Sequence, residues 1–476
     1  MEVLHEKFSN DFNVESLQQN VIGFNKKVPI LNGEERRYIN LDNASSTPVI
    51  KPVMDKVNEI AEWYSSIHRG TGFKSQLCSE VYDKGRKIVS DFVNASIEDH
   101  SVIFGKNATE AINKLANRYP IKTDEVVLVS KMEHHSNDLP WRNKAKVVYI
   151  NVLPDGRLDE NHLNHLLEKY YKKVAIVALT GASNVTGWVN SINRYAEMCH
   201  EFQTKIFIDA AQLAAHRPIN MMESNDPGHI DFLALSAHKI YAPFGSGVLI
   251  GKKEFFNETD PDYVGGGTVK IVSLDHAYWT ESPERDEPGT PNIIGVVAMA
   301  TSLQTLKKIG MPNIVNHEKQ LTQYILKRMK EIPNIDIYGG SDPQLVDNRL
   351  GVVTFNIQGM PHALTAAILN YEGGIAVRNG CFCSHPYLKL LLGLGETESQ
   401  EVEHQILNGD RSKLPGAVRA SFGMYNSIEE IDIFIDMLKE IAQGNYKGEY
   451  ILDKSRGEYH PKDFHLNFKN YFNLDS

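Results

Sequence analysis

Cysteine is scarce in this 476-residue chain: four occur, Cys78, Cys199, Cys381 and Cys383. So few exclude the disulfide scaffold of a small secreted domain and predict reduced thiols. Cys381 and Cys383 lack the second C-x-x-C or H-x-x-x-H pair that structural zinc requires, so no metal site is expected. Long apolar runs are missing as well. No segment approaches the roughly 18 uninterrupted apolar residues of a membrane span, and the opening MEVLHEKFSNDFNVES has no signal-peptide core. A soluble, cytoplasmic chain with no membrane partner is expected. No long basic run is present, and 50 Lys and Arg against 60 Asp and Glu leave a net charge of -10. That balance argues against nucleic acid as a partner. Internal repeats and low-complexity tracts are also absent.

What is present is enough apolar residue, 42%, to fill more than one core. Seven short Val- and Ile-rich runs alternate with helical stretches between about residues 100 and 250: SVIFG, EVVLVS, KVVYINV, KVAIVALT, KIFIDAA, FLALSA and GVLIG. That order predicts an α/β domain with a mainly parallel seven-stranded sheet, whose ligands sit beyond the carboxyl ends of the strands. After the Gly and Pro clusters VGGGTV and EPGTPN the pattern changes to helices around VVTFNI and AVRASF, a smaller α+β domain. The expected division is an N-terminal segment, 1–35, packing on the smaller domain; a large domain, 36–285; the smaller domain, 286–444; and a tail, 445–476, of unassigned role.

The polar residues that close these strands suit a phosphorylated, ring-bearing aldehyde such as pyridoxal phosphate. FLALSAHK delivers Lys239 to the binding edge, where its amine is placed to form a Schiff base, although most lysines are solvated surface residues. Asp209 closes KIFIDAAQ and suits a protonated pyridine nitrogen; it equally suits a helix cap. In FGKNATEAIN, Ala108 and Thr109 open a helix whose free N–H groups attract phosphate, with Ser236 and His238 beside them, or they form an ordinary cap. His134 and His135 follow another strand end, where one imidazole can cover a flat ring and exchange protons, or lie on the surface. Asn184 and Gln212 suit a phenolic oxygen or a turn. In the second domain, IAVRNGCFCSHPYL sets Arg378, Cys381 and Cys383 around a turn, and GAVRASFGMYN sets Arg419 on a strand. Arginine forks suit a carboxylate, and a loop thiol suits attack on sulfur; buried thiol and surface arginine are the competing readings.

The ordered blocks YINLDNASSTP, IHRGTGFKS, NATEAIN, MEHHSNDLPW, SNVTG, FIDAAQ, SAHK, GGGTV, EPGTPN, VRNGCFC and VRASFGMYN, from about Tyr38 to Ala442, resemble class V of the fold type I pyridoxal phosphate enzymes. The resemblance is strongest to group II cysteine desulfurases and selenocysteine lyases. It implies a fold type I transferase in which Lys239 anchors the cofactor, Asp209 pairs with the ring nitrogen and His134 stacks on the ring. It further implies that Asn184 and Gln212 contact the phenolic oxygen and that Ala108, Thr109, Ser236 and His238 form the phosphate cup. Thr268 would reach in from the partner of a homodimer, Arg419 with Arg378 would bind the substrate carboxylate, and Cys383 would carry a persulfide. The implied reaction takes L-cysteine to L-alanine, with sulfur passed to an acceptor protein or thiol. The long stretch between Cys383 and Arg419 resembles molybdenum cofactor sulfurase desulfurase domains instead. Selenocysteine lyase, another class V lyase or sulfurase, and a non-catalytic sulfur-transfer scaffold are the alternatives.

Overall fold

The Val- and Ile-rich runs form seven strands of one sheet: β1 (His100–Gly105), β2 (Val126–Ser130), β3 (Lys146–Ile150), β4 (Val174–Thr180), β5 (Lys205–Asp209), β6 (Phe232–Ser236) and β7 (Gly247–Lys252). This computed structural model describes residues 13–68, 70–395, 400, 404–406, 408–412 and 414–475. The start of the N-terminal segment, Arg69 of the IHRGTGFKS block and positions 396–399, 401–403, 407 and 413 of the stretch between Cys383 and Arg419 lie outside them. The strand order is β1-β7-β6-β5-β4-β2-β3. β3, β2, β4, β5 and β6 pair in parallel, while β7 runs antiparallel to both β6 and β1. The expected mainly parallel α/β sheet is therefore present. Its inner strands are covered on both faces, so they read as continuous apolar runs rather than alternating ones.

Two layers of helix provide the cover. On one face, α1 (Lys51–Trp63), α2 (Phe73–Phe92) and α4 (Ile293–Ile309) bury Val53, Tyr82, Val89, Ile293 and Leu303 against Val102, Leu128, Val177 and Ile206. On the other, α3 (Ala108–Arg118) packs Ala111, Ile112 and Leu115 on Ile103, Val127, Phe207 and Leu249. α4 follows residue 286, where the change of domain is expected, yet its side chains belong to the large core. Its run IIGVVAMATSL is apolar on every side, as a helix enclosed on every side requires.

A second sheet, in the antiparallel order β8-β9-β11-β10, joins β8 (Ile335–Tyr338), β9 (Val352–Ile357), β10 (Arg378–Gly380) and β11 (Ala417–Ser421). It packs Val353, Phe355 and Val418 against Phe434, Ile435 and Leu438 of α6 (Ile428–Ala442), whose start is fixed by a capping box between Ser427 and Glu430. The N-terminal segment touches both bodies: Leu17 and Val21 enter the large core, whereas the Leu31 N–H donates to the Tyr371 carbonyl on α5 (His362–Gly373) at 2.7 Å. The tail forms a hairpin of Tyr450–Asp453 and Glu458–Pro461, and Glu372 of α5 accepts from the Lys447 and Gly448 amides and the Tyr450 hydroxyl at its base. Among the described residues no helix is long and apolar enough to cross a membrane.

Candidate functional site

Four of the five parallel strands, β2, β4, β5 and β6, end in Ser130, Thr180, Asp209 and Ser236, all at one edge of the sheet. The second sheet faces that edge, and a cavity of about 470 Å³ lies there, lined by residues of both bodies. Lys239 reaches it because β6 stops at Ser236 and the chain turns through the single 3-10 turn Ala237–Lys239. The turn is braced from far away in sequence: the Thr47 N–H donates to the His238 carbonyl at 2.9 Å, and the Thr47 hydroxyl accepts from the Tyr241 N–H at 2.7 Å.

One end of the cavity gathers a helix start and several hydroxyls. β1 and β6 finish beside the start of β7, with Gly247 opposite both Gly105 and Ser236. A Cβ on Gly247 would lie 2.4 to 2.9 Å from the Asn107 backbone, so only glycine lets the sheet approach the start of α3 this closely. Asn107 caps that helix by accepting from the Glu110 N–H, leaving the amides of Ala108 and Thr109 at its open end. The Thr109 and Ser136 hydroxyls share a hydrogen bond of 2.7 Å. Ser236 Oγ is buried without a partner, an acceptor or donor awaiting a ligand. A helix start, two hydroxyls and an orphaned third form a seat for an anion.

The middle of the cavity suits a flat ring over a lysine. Burial pulls the Lys239 amine down to about 8, opposed by the Asp209 carboxylate and reinforced by Arg419. Asp209, fully enclosed apart from a bond from the Ala211 N–H, is held above the usual carboxylate range by burial, against the pull of Lys239. His134 is pushed down to about 3 by burial and then by Lys239, so its ring is neutral at neutral pH. Its Nδ1 accepts from the Ser136 N–H at 3.1 Å, which assigns the proton to Nε2. Burial likewise lowers His238 to about 4. Gln212 donates to the Ala44 carbonyl at 2.6 Å.

The far wall carries cations and the thiols. Arg419 is 2% exposed. It donates to the Asn184 carbonyl (2.8 Å), to Ser45 Oγ (2.7 Å) and to Asp42 (3.1 Å). Burial lowers its guanidinium to about 10, still charged at neutral pH. Arg378 reaches the same pair, Ser45 at 3.0 Å and Asp42 at 3.0 Å. Phe382 and Cys383 both have positive φ, 53° and 55°, a costly conformation for residues other than glycine. The loop is fastened to hold it: Asn184 donates to the Phe382 carbonyl at 2.8 Å and accepts from Ser384 at 3.1 Å, and Arg419 lies over the Phe382 ring. Cys383 is thereby left exposed on the cavity wall, whereas Cys381 is buried, bonded to the Pro415 carbonyl at 2.8 Å and raised to about 11 by burial.

Lys239, Asp209, His134, Asn184, Gln212, Ala108, Thr109, Ser236, His238, Arg378, Arg419 and Cys383 thus line one cavity. Thr268 does not; it precedes an exposed hairpin and donates to the Gly265 carbonyl at 2.8 Å. Three residues of the LDNASST segment were passed over in the sequence: Asp42 and Ser45, which hold both arginines, and Thr47, which braces the lysine turn. A run of small and polar residues shortly after the two-residue strand Ile39–Asn40 was their only signal.

A cysteine desulfurase of Haloferax volcanii is 33% identical over 84% of this chain and 88% of its own length. The apo structure of the cysteine desulfurase from Thermococcus onnurineus superposes with a TM-score of 0.78 at 30% identity, covering 92% of this chain and 99% of that one. The S-sulfonic acid form of the Escherichia coli cysteine desulfurase CsdA superposes with a TM-score of 0.73 at 25% identity, over 92% of this chain and 100% of that one. One family pattern, aminotransferase class-V, runs unbroken from residue 39 to 434, through the sheet, the lysine turn and the Arg419 strand. By that span and those relatives, the chain belongs to the aminotransferase class-V family.

Proposed function

We propose that this chain is a pyridoxal phosphate-dependent cysteine desulfurase. The observation that carries the reading is the meeting of Lys239, a buried Asp209, a buried Arg419 and an exposed Cys383 on the walls of one cavity. Three structural relatives or homologues bearing that title support it. The residues fit the cofactor: the orphaned Ser236 hydroxyl, the Gly247 cradle and the α3 start suit its phosphate, Asp209 its ring nitrogen and Lys239 its aldehyde. When bound, pyridoxal phosphate supplies an electron sink that makes the α-proton of an amino acid acidic.

The chain's own groups supply the rest. Arg419, with Arg378 beside it, binds the carboxylate of L-cysteine, its charge fixed in place by Asp42 and Ser45. Lys239, whose amine titrates at about 8, is matched to carry a proton between substrate carbons near neutral pH. His134, pushed down to about 3 by burial and so neutral at neutral pH, is matched to stacking rather than to proton transfer. The Cys383 thiolate attacks the substrate sulfur, the C–S bond breaks towards carbon, and Cys383 keeps the sulfur as a persulfide while alanine leaves. Sulfur then passes to an acceptor protein or thiol. The hairpin after Thr268 exposes Ile271, Val272, Leu274 and Tyr278, and this apolar face supports a homodimer in which it covers the partner's cavity.

The test is to incubate the holoprotein with L-cysteine and follow alanine, sulfide and protein-bound persulfide together, for the native chain and for Cys383→Ser. Stoichiometric alanine and persulfide in the native chain, with both lost in the variant, is the expected result. A cofactor-loaded protein that never forms alanine would end the desulfurase reading.

A further inference from the structure

Cys383 stands in a wall between two chambers. Together with Asn379 and Phe382 it lines both the substrate cavity and a second cavity of about 440 Å³. The second chamber is completed by parts of the chain that the first does not use: Arg411, Ser412, Leu414 and Pro415, which precede β11, and residues 456 to 459 of the C-terminal hairpin. That hairpin lies beyond residue 434, where the family match ends. Its seating is close and specific. The Arg411 N–H donates to the Lys454 carbonyl at 2.9 Å. Gly457, at φ +71°, approaches so near that a Cβ there would sit 2.7 Å from the Arg411 carbonyl oxygen. A hairpin held this way is a built wall rather than a trailing end.

The chamber's chemistry selects its occupant. Arg411, Arg456, Glu458 and Tyr459 are among the residues that line it. Arg456 is 70% exposed at its side chain and only loosely drawn to Asp453, at 3.9 Å. The volume suits a molecule the size of an amino acid or short peptide. Any molecule that unloads Cys383 from this side must be a nucleophile towards sulfur, and arginine forks favour a carboxylate on it. We propose that the second chamber is the sulfur-acceptor site and that it takes a small thiol bearing a carboxylate.

The proposal rests on the desulfurase reading and adds the acceptor's class and route. The acceptor thiolate attacks the outer sulfur of the Cys383 persulfide from the hairpin side. A new S–S bond forms, the old one breaks, and its electron pair stays on Cys383, which leaves as a thiolate. The acceptor departs as a persulfide, and no external oxidant or reductant is consumed. Substrate and acceptor therefore never share a chamber, and alanine need not leave before the acceptor binds.

The experiment loads the holoprotein with L-cysteine in a single turnover, recording the alanine burst. It then adds 3-mercaptopropionate, 2-mercaptoethanol or cysteamine at equal thiolate concentration and follows loss of the Cys383 persulfide by intact mass. Unloading by 3-mercaptopropionate is expected to saturate, and by the other two to rise linearly. Arg411→Gln and Arg456→Gln are expected to raise the half-saturating concentration about tenfold each, the loss of one charge-assisted contact, with the alanine burst unchanged. Equal, unsaturable unloading by all three thiols, or saturation that neither variant alters, would overturn the acceptor site while leaving the desulfurase reading intact. A missing alanine burst would remove that reading and the acceptor site with it.

Discussion

The backbone N–H of His135 donates to the carbonyl of Cys383 at 2.8 Å, joining the loop after β2 to the loop that carries the thiol. The two loops are 248 residues apart in the chain and come from different sheets. The His135 ring extends the junction, since its Nε2 accepts from the His385 N–H at 3.2 Å and the two rings stack 4.8 Å apart. With Asn184 on the other side, these contacts hold two consecutive left-handed residues in place.

A variant that keeps the stack but removes the acceptor isolates this contact. His135→Phe is expected to lower kcat for alanine formation about tenfold while leaving KM for cysteine within about twofold, because Arg419 and Arg378 are untouched. Steady-state kinetics separate the two constants. A rise in KM with kcat unchanged would show that the junction serves binding instead.

The two thiols of the CFC motif are chemically unequal. Cys381 is buried, donates to the Pro415 carbonyl and is raised to about 11, whereas Cys383 is exposed. Iodoacetamide at neutral pH is expected to modify Cys383 at least tenfold faster than Cys381, about the ratio that a thiolate population reduced by burial would give. Peptide mass spectrometry over time measures it. Cys381→Ser is expected to retain persulfide formation.

The sheet and the lysine were legible in the sequence because each left a local signal: continuous apolar runs for buried strands, and a polar residue where each run stops. Asp209 and Ser236 were found in that way. Asp42, Ser45 and Thr47 were not, because their roles are made by contacts with residues 191 to 377 positions away. No short-range pattern encodes such contacts. The same holds for α4, whose apolar run shows that it is enclosed without showing by which domain. The tail after residue 444 reads as polar with scattered aromatics and no assignable role, yet it forms a hairpin that Glu372 and Arg411 hold.

Gly247 tests the anion seat without touching a charged group. Alanine there would place a methyl 2.4 Å from the Asn107 carbonyl carbon, so the start of α3 must move away from β7. Gly247→Ala is expected to cost about 1 to 3 kcal/mol of stability, as overpacking does. Cofactor titration of the apoprotein is expected to show affinity reduced more than tenfold, because the displaced N–H groups no longer converge. Thermal unfolding of the apoprotein and the titration are read together: lost stability with unchanged affinity would place the phosphate elsewhere.

Capture of pyridoxal phosphate by the apoprotein reports directly on Lys239, because only the neutral amine attacks an aldehyde. Burial lowers this amine from 10.5 to about 8, so the rate of capture, followed by absorbance, is expected to climb with pH through a midpoint near 8 and then level off. Asp209 stabilises the ammonium, so Asp209→Asn is expected to move the midpoint to lower pH even as final occupancy falls. Arg419 acts in the opposite sense, and Arg419→Met is expected to move it higher. The two shifts have opposite signs although both variants damage the same cavity, which separates an electrostatic effect from general disruption. A midpoint near the ordinary lysine value, or shifts of the same sign in both variants, would mean that the amine is not governed by its burial beside these two charges.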